Sequence, residues 1–153
     1  MDIDSRDRKI LDLLQRDADM PVFRIAELVA LSPSACSRRI AALREAGYIR
    51  RTVAVLNRDK LDLPTTVFVI LRTQHSEAWL ERFRTVVAGI PEILECHRLT
   101  GNFDYIIKIV IRNIAEYDRV YKELIAGITL SDVSGYISME TIKEEWSMPV
   151  LAR

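Results

Sequence analysis

Serines, small side chains and arginines crowd one short stretch of this chain of 153 residues. Ser32-Pro33-Ser34-Ala35-Cys36-Ser37-Arg38-Arg39 is followed by Arg44 and then Arg50-Arg51. Hydroxyl and guanidinium groups donate to base edges and phosphate oxygens, and small residues let a backbone come close to the floor of a major groove. Ile40 and Leu43 fall within about 40° of Cys36 on a helical wheel. Ser34, Arg38, Ala41 and Glu45 take the opposite side. Arg38 is therefore the candidate base reader, Ser34 and Ser37 supply further donors, and Ala35 can touch a thymine methyl. Arg44, Arg50 and Arg51 suit phosphates. Arg39 sits beside the core stripe, where two readings stay open: an intramolecular pair with Glu27, or a phosphate contact. With Pro33 at its first position, the helix offers a duplex-contacting set of Pro33, Ser34, Ala35, Ser37, Arg38, Arg39, Arg50 and Arg51.

Other reactive side chains form no recognisable centre. Cys96-His97 are neighbours on an expected strand and point to opposite faces, a poor chelate, with no second pair at ligand spacing. His75 is isolated near a strand end. No phosphate loop, serine elbow or nucleophile-base pairing is visible. The sequence predicts no catalytic residue, no metal and no cofactor. Cys36 reads as a small core residue.

The elements that must position these groups follow from periodicity and caps. Asp4 can cap a helix over 4–17 with the stripe Ile10, Leu11 and Leu14. Pro21 opens a second, short helix with Val22, Ile25, Leu28 and Val29 on its apolar side. After a turn at Ala30-Leu31-Ser32, a third helix runs over 33–46, capped by Ser32 and ended by Gly47. Two short helices joined by a tight turn, the second small and basic outside, are the parts of a helix-turn-helix DNA reader. Such turns commonly hold Gly where Ala30 stands, and a left-handed Ala costs about 1–2 kcal/mol. Residues 48–56 suggest a short strand or wing, and 57–64 a linker.

From Thr65 the pattern changes. Residues 65–73 read as a strand, Ser76 caps a helix with the stripe Leu80, Phe83, Val87 and Ile90, and 93–100 and 103–111 are strands around a Gly101-Asn102 turn. Asn113 and Glu116 suggest a capping box for a helix with Tyr117, Val120, Tyr121, Leu124 and Ile125 on one stripe. A last strand is expected over 132–143. The fold class is α+β: a helix-turn-helix, winged-helix-like domain over 1–56, a linker over 57–64, and a βαββαβ ferredoxin-like domain over 65–153.

Hydrophobic residues make up 49% of the chain, ample for a core, and 22 Lys+Arg balance 22 Asp+Glu. The balance is local, however: residues 32–60 carry seven Lys/Arg against two Asp/Glu, the basic patch a modest DNA-binding module needs. No apolar run approaches the roughly 20 residues of a membrane helix, and residues 1–9 mix charges without an apolar signal segment. With two cysteines far apart, the expectation is a cytoplasmic protein with reduced thiols and no membrane partner. The strands over 65–73 and 103–111 carry apolar residues on both faces, while two helices can cover only one. Packing against another copy, at least a homodimer, is expected.

The whole pattern resembles the Lrp/AsnC, or feast-famine, regulators over roughly residues 3–145. The resemblance rests on Asp4-Ser5-Arg6-Asp7-Arg8-Lys9-Ile10-Leu11, on Leu31-Ser32-Pro33-Ser34 continuing to Arg39-Ile40 and Leu43, and on Gly47-Tyr48-Ile49. It rests further on Cys96-His97 running through Thr100-Gly101-Asn102-Phe103-Asp104-Tyr105. It implies a transcription regulator that binds double-stranded DNA, is nucleoid-associated, dimerises through the sheet domain, often assembles to octamers, and senses a small amino acid between sheet domains. The family's effector-response positions fall on Arg98, Asp104, Ile114, Tyr136, Ile137 and Ser138, and the hairpin adds Thr100, Gly101 and Asn102. Asp104 could pair with a ligand ammonium, and backbone N–H groups at Gly101-Asn102 could cradle its carboxylate. Arg98 departs from the family, where an apolar residue can stand, and could bind a carboxylate. Two competing readings remain. One is an enzyme similar to the sirohaem decarboxylases, which should show a degraded reading helix and a basic, His-bearing pocket; this chain keeps the small, basic helix and has two histidines. The other is an effector sensor that does not bind DNA.

Overall fold

The computed structural model describes residues 2–74 and 76–151, so His75 lies outside the described residues. Contacts divide the chain into two compact units, Met1–Val55 with Lys143–Arg153, and Leu56–Ile142. The expected single domain over 65–153 is therefore corrected at its end, because 143–151 pack with the helical unit.

The helical unit holds α1 (Ser5–Arg16), α2 (Val22–Leu28) and α3 (Pro33–Glu45). Asp4 caps α1 in a reciprocal box: its Oδ1 accepts from the Asp7 N–H at 2.8 Å, and its own N–H donates to Asp7 Oδ2 at 3.1 Å. Ile10, Ile25, Ala26, Val29, Cys36, Ile40 and Leu43 form the core. Two residues of the expected α2 stripe are turned out: Val22 is 39% and Leu28 38% exposed, while Ala26 is buried in their stead. Both α2 and α3 end in the same way. Ala30 has φ 53 and Gly47 φ 78. The N–H groups of Leu31 and Ala30 donate to Ala26 and Glu27 carbonyls, and those of Tyr48 and Gly47 to Leu43 and Arg44. Each is a Schellman closure with a left-handed residue at its pivot. Ala30 thus occupies a position that favours glycine. Residues 48–56 form no strand, contrary to expectation. Val53, Val55 and Leu56 are 60–66% exposed, and a lone ribbon has no strand to pair with among the described residues. The returning tail is clipped to α1 by Gln15, whose Nε2 donates to the Met148 carbonyl at 2.7 Å and whose Oε1 accepts the Met148 N–H at 2.8 Å.

The second unit holds β1 (Thr65–Arg72), α4 (Glu77–Gly89), β2 (Ile93–Arg98), β3 (Tyr105–Ile111), α5 (Ile114–Ala126) and β4 (Asp132–Ile137). The strands are antiparallel in the order β2-β3-β1-β4. Val67, Val69 and Leu71 of β1 and Tyr105, Ile107, Ile109 and Ile111 of β3 meet Phe83, Val120 and Leu124 of the helices in one core. Ile125, expected on the α5 stripe, is 39% exposed. Glu116 does reach back at the start of α5, but to the Arg112 N–H at 2.7 Å, one residue before the cap. The alternate positions, Phe68 and Ile70 on β1 and Ile106 and Val110 on β3, make the second apolar face. Lys108 lies on the same face and donates to Glu95 Oε1 at 2.9 Å. β4 ends at Ile137 rather than 143: Ile137 pairs with Val67 and the Ser138 N–H donates to Thr66, so β1 runs out of partners.

Candidate DNA-reading and effector sites

α3 is built to present one face. Ser32 Oγ accepts the Ala35 N–H at 3.2 Å, and Pro33 occupies the first turn, where its missing N–H has no intrahelical partner to lose. With Cys36, Ile40 and Leu43 buried, Ser34, Ser37 and Arg38 emerge exposed and Ala35 half-buried. Burial pushes the Cys36 thiol up, which keeps it a neutral packing group. Beside this face lies an open depression of about 420 Å³ lined by Asp7, Leu31, Ala35, Arg38, Arg39 and Ala42. Arg44, Arg50 and Arg51 are exposed at and beyond the far end of the helix.

Arg39 makes the intramolecular pair that one reading of the sequence expects, but with other partners. Glu27 is not its partner, since Glu27 pairs with Arg24 at 2.7 Å on the same helix. Arg39 Nη1 instead donates to Asp4 Oδ2 and Asp7 Oδ1, each at 2.8 Å. The Asp7 side chain is only 4% exposed. The two carboxylates raise the Arg39 pKa, and the Asp7 amide, with Arg39, holds the Asp4 carboxyl below its ordinary range. One guanidinium thereby ties the start of α1 to the middle of α3 and fixes how α3 faces outward. Nothing local marks this partnership in sequence; the Asp4/Asp7 spacing signals only a cap.

The effector positions fall into two groups. Arg98 ends β2, and the loop after it closes through the Leu99 N–H donating to the Asp104 carbonyl at 2.8 Å. Gly101, at φ +118, makes the turn that a side chain would strain. Thr100, Gly101 and Asn102 are exposed. Asp104 is half-buried, and its Oδ2 accepts the Thr73 N–H at 2.8 Å, so one oxygen proposed for a ligand ammonium already fastens the hairpin to the end of β1. Arg72, which the sequence reading passes over, is part of the same assembly: its Nε donates to the Asn102 carbonyl at 2.9 Å and its guanidinium lies 5.5 Å from the Phe103 ring centroid.

Ile114, Tyr136 and Ile137 are 49–55% exposed, and Ser138 is half-buried with Oγ donating to the Glu140 carbonyl. This second group lies at the other end of the sheet. Tyr136 stands opposite Phe68 and Ile137 opposite Val67, whereas the hairpin meets β1 at Leu71 to Thr73. Three to six residues of β1 separate the two groups, about 10–20 Å along the strand. Within one chain the structure brings Arg98 and Thr100 to Asp104 together, and Tyr136 to Ser138 together at the end of β4, but not the two groups; Ile114 starts α5. Cys96 and His97 point to opposite faces as expected, and His97 Nε2 lies 3.3 Å from Glu95 Oε2.

Comparison with known proteins adds to this geometry. A family described as Lrp/AsnC ligand binding domain matches residues 66–148. A winged helix-turn-helix DNA-binding family matches residues 3–50. The chain is 54% identical over 148 residues to the HTH-type transcriptional regulator Zrp of Zymomonas mobilis, spanning 96% of this chain and 97% of that one. It is 38% identical over 150 residues to the DNA-binding transcriptional activator DecR of Escherichia coli, spanning 97% and 99%. A crystal structure of an AsnC family transcriptional regulator from Agrobacterium tumefaciens superimposes with a TM-score of 0.93 at 44% identity, over 97% of both chains. An L-Met complex of a Neisseria meningitidis transcriptional regulator does so with 0.92 at 29% identity, again over 97% of both.

Proposed function

The chain belongs to the Lrp/AsnC family of transcriptional regulators, and from that premise we propose how it reads DNA and what it answers to. α3 enters the major groove, with Arg38 hydrogen-bonding a base edge, Ser34, Ser37 and Ala35 completing the contact, and Pro33 setting the helix start. Arg50 and Arg51 hold phosphates. Arg39 orients α3 from behind. The observation that carries this reading is the division on one helix: Ser34, Ser37 and Arg38 are exposed while Arg39 is tied to Asp4 and Asp7.

The effector is a small amino acid, as in the relative whose structure is an L-Met complex. A molecule of that size is too short to reach from the hairpin to the far members of the Tyr136 to Ser138 group of one chain, up to about 20 Å along the strand. A site that uses both draws them from two copies, which makes effector binding and assembly one equilibrium. The second apolar face of the sheet gives the protein at least a homodimer, from which octamers can grow. The working form is a cytoplasmic, nucleoid-associated regulator that carries out no chemical step.

The test is retardation of genomic DNA fragments at low salt, repeated with each of the twenty L-amino acids. Specific fragments are retarded, and at least one amino acid changes their affinity. Failure to retard any fragment overturns the DNA-reading assignment and leaves an effector sensor; retardation untouched by all twenty overturns the effector assignment.

A further inference from the structure

Arg72 is held from two directions. Its Nε is committed to the Asn102 carbonyl at 2.9 Å, and one face of its guanidinium lies over Phe103 with Cζ 5.5 Å from the ring centroid. The two terminal amino groups have no acceptor among the described residues. Asp132 stands opposite Arg72 in the β1–β4 register, yet the two form no ion pair. A guanidinium pinned at Nε and at its face has lost most of its rotamer freedom before any ligand arrives. Its outer edge is a planar pair of donors that matches a carboxylate bidentately. Pre-ordering of this kind lowers the cost of binding.

The surroundings carry both signs of charge, and Arg72 presents the free donor edge. Asp104, the acidic residue of the hairpin, has one oxygen taken by the Thr73 amide. Arg98 stands at the same end of the sheet, and the turn at Gly101, which lacks a side chain, leaves the loop backbone open to close approach. We propose that Arg72 is the anchor for the α-carboxylate of the amino-acid effector and sets the requirement for a free acid. Asn102 and Phe103 act as positioning residues that aim it. This rests on the effector reading above and adds a named donor and a chemical rule: the ligand's α-carboxylate must be free and ionised, so an α-carboxamide binds more weakly.

The test uses the full-length protein and calorimetric titration. The twenty L-amino acids are titrated first, then the α-carboxamide of each one that binds. Wild-type protein prefers the acid over its carboxamide by about 10- to 100-fold, the value of a charge-assisted pair. Arg72→Met lowers affinity for the acid to that of the carboxamide and leaves the carboxamide unchanged. Arg72→Lys keeps the charge but not the fork and recovers only part of the preference. A purely structural role for Arg72 in the hairpin would weaken acid and carboxamide alike, and that result, or unchanged preference in Arg72→Met, overturns the proposal. If no amino acid binds the wild-type protein, the effector reading falls first and takes this inference with it.

Discussion

Arg39 illustrates how a residue in a reading helix can serve the protein rather than the DNA. Its position on the helical wheel, beside Cys36 and Ile40, makes an inward role legible in the sequence. Its partners are not legible, because Asp4 and Asp7 lie 35 and 32 residues away and belong to a different helix, while Glu27 is the nearer candidate along the chain. Removing it strands an Asp7 carboxylate that is 4% exposed, so Arg39→Met should lower the melting temperature of the helical unit. The salt dependence of DNA binding should keep its slope, whereas loss of a true phosphate contact would reduce it by about one. The pH dependence has a definite sign. The Asp4 carboxyl is held below its ordinary 3.8, first by the Asp7 amide and then by Arg39. A carboxyl lowered in the folded state favours folding above its unfolded value and loses that contribution as pH falls through its folded value. The gap in melting temperature between wild type and Arg39→Met should be constant around neutrality and close below about pH 4. A gap that persists in acid would assign the loss to packing rather than to the ion pairs.

Elements are set by caps more sharply than by periodicity. Ser32 and Gly47 mark α3, and Asp4 marks α1, because a side-chain acceptor and a left-handed pivot are local signals with local causes. The end of β4 has no such signal. Residues 138–143 continue an acceptable strand pattern, but β1 offers no further backbone to pair with, and a sequence window cannot see where its partner stops. The same reason removes the strand expected over 48–56. Ala30 is the one place where a cap is legible but its residue is suboptimal. At φ 53 it holds the pivot of the α2 closure, and the left-handed strain of a Cβ there is about 1–2 kcal/mol. Ala30→Gly should therefore raise the thermal midpoint of the helical unit, by about 4–8 °C per kcal/mol for a unit of this size. A lower midpoint would mean that the added freedom of glycine in the unfolded chain outweighs the relieved strain.

At the scale of the whole molecule, the α+β class, the helix-turn-helix and the βαββαβ order are all legible, and the match to the Lrp/AsnC family bears out the resemblance. Less legible is how the effector positions divide. Arg98 to Asp104 and Tyr136 to Ser138 are read together from a resemblance, yet antiparallel pairing sends them to opposite ends of one sheet. Only the register reveals this, and the proposed link between ligand binding and assembly follows from it. The proposed dimer would present two copies of α3 to half-sites about 34–36 Å apart. The central claim is that each copy reads sequence through Arg38 and holds phosphates through Arg50. The most direct measurement is equilibrium binding of wild type, Arg38→Ala and Arg50→Ala to a duplex selected by the wild-type protein and to a scrambled duplex, over a range of salt. Arg38→Ala should lose about 1–3 kcal/mol of discrimination between the two duplexes, and Arg50→Ala should weaken both equally with a salt slope smaller by about one. Equal, sequence-independent losses from both variants would contradict the assignment of α3 as the reader through Arg38.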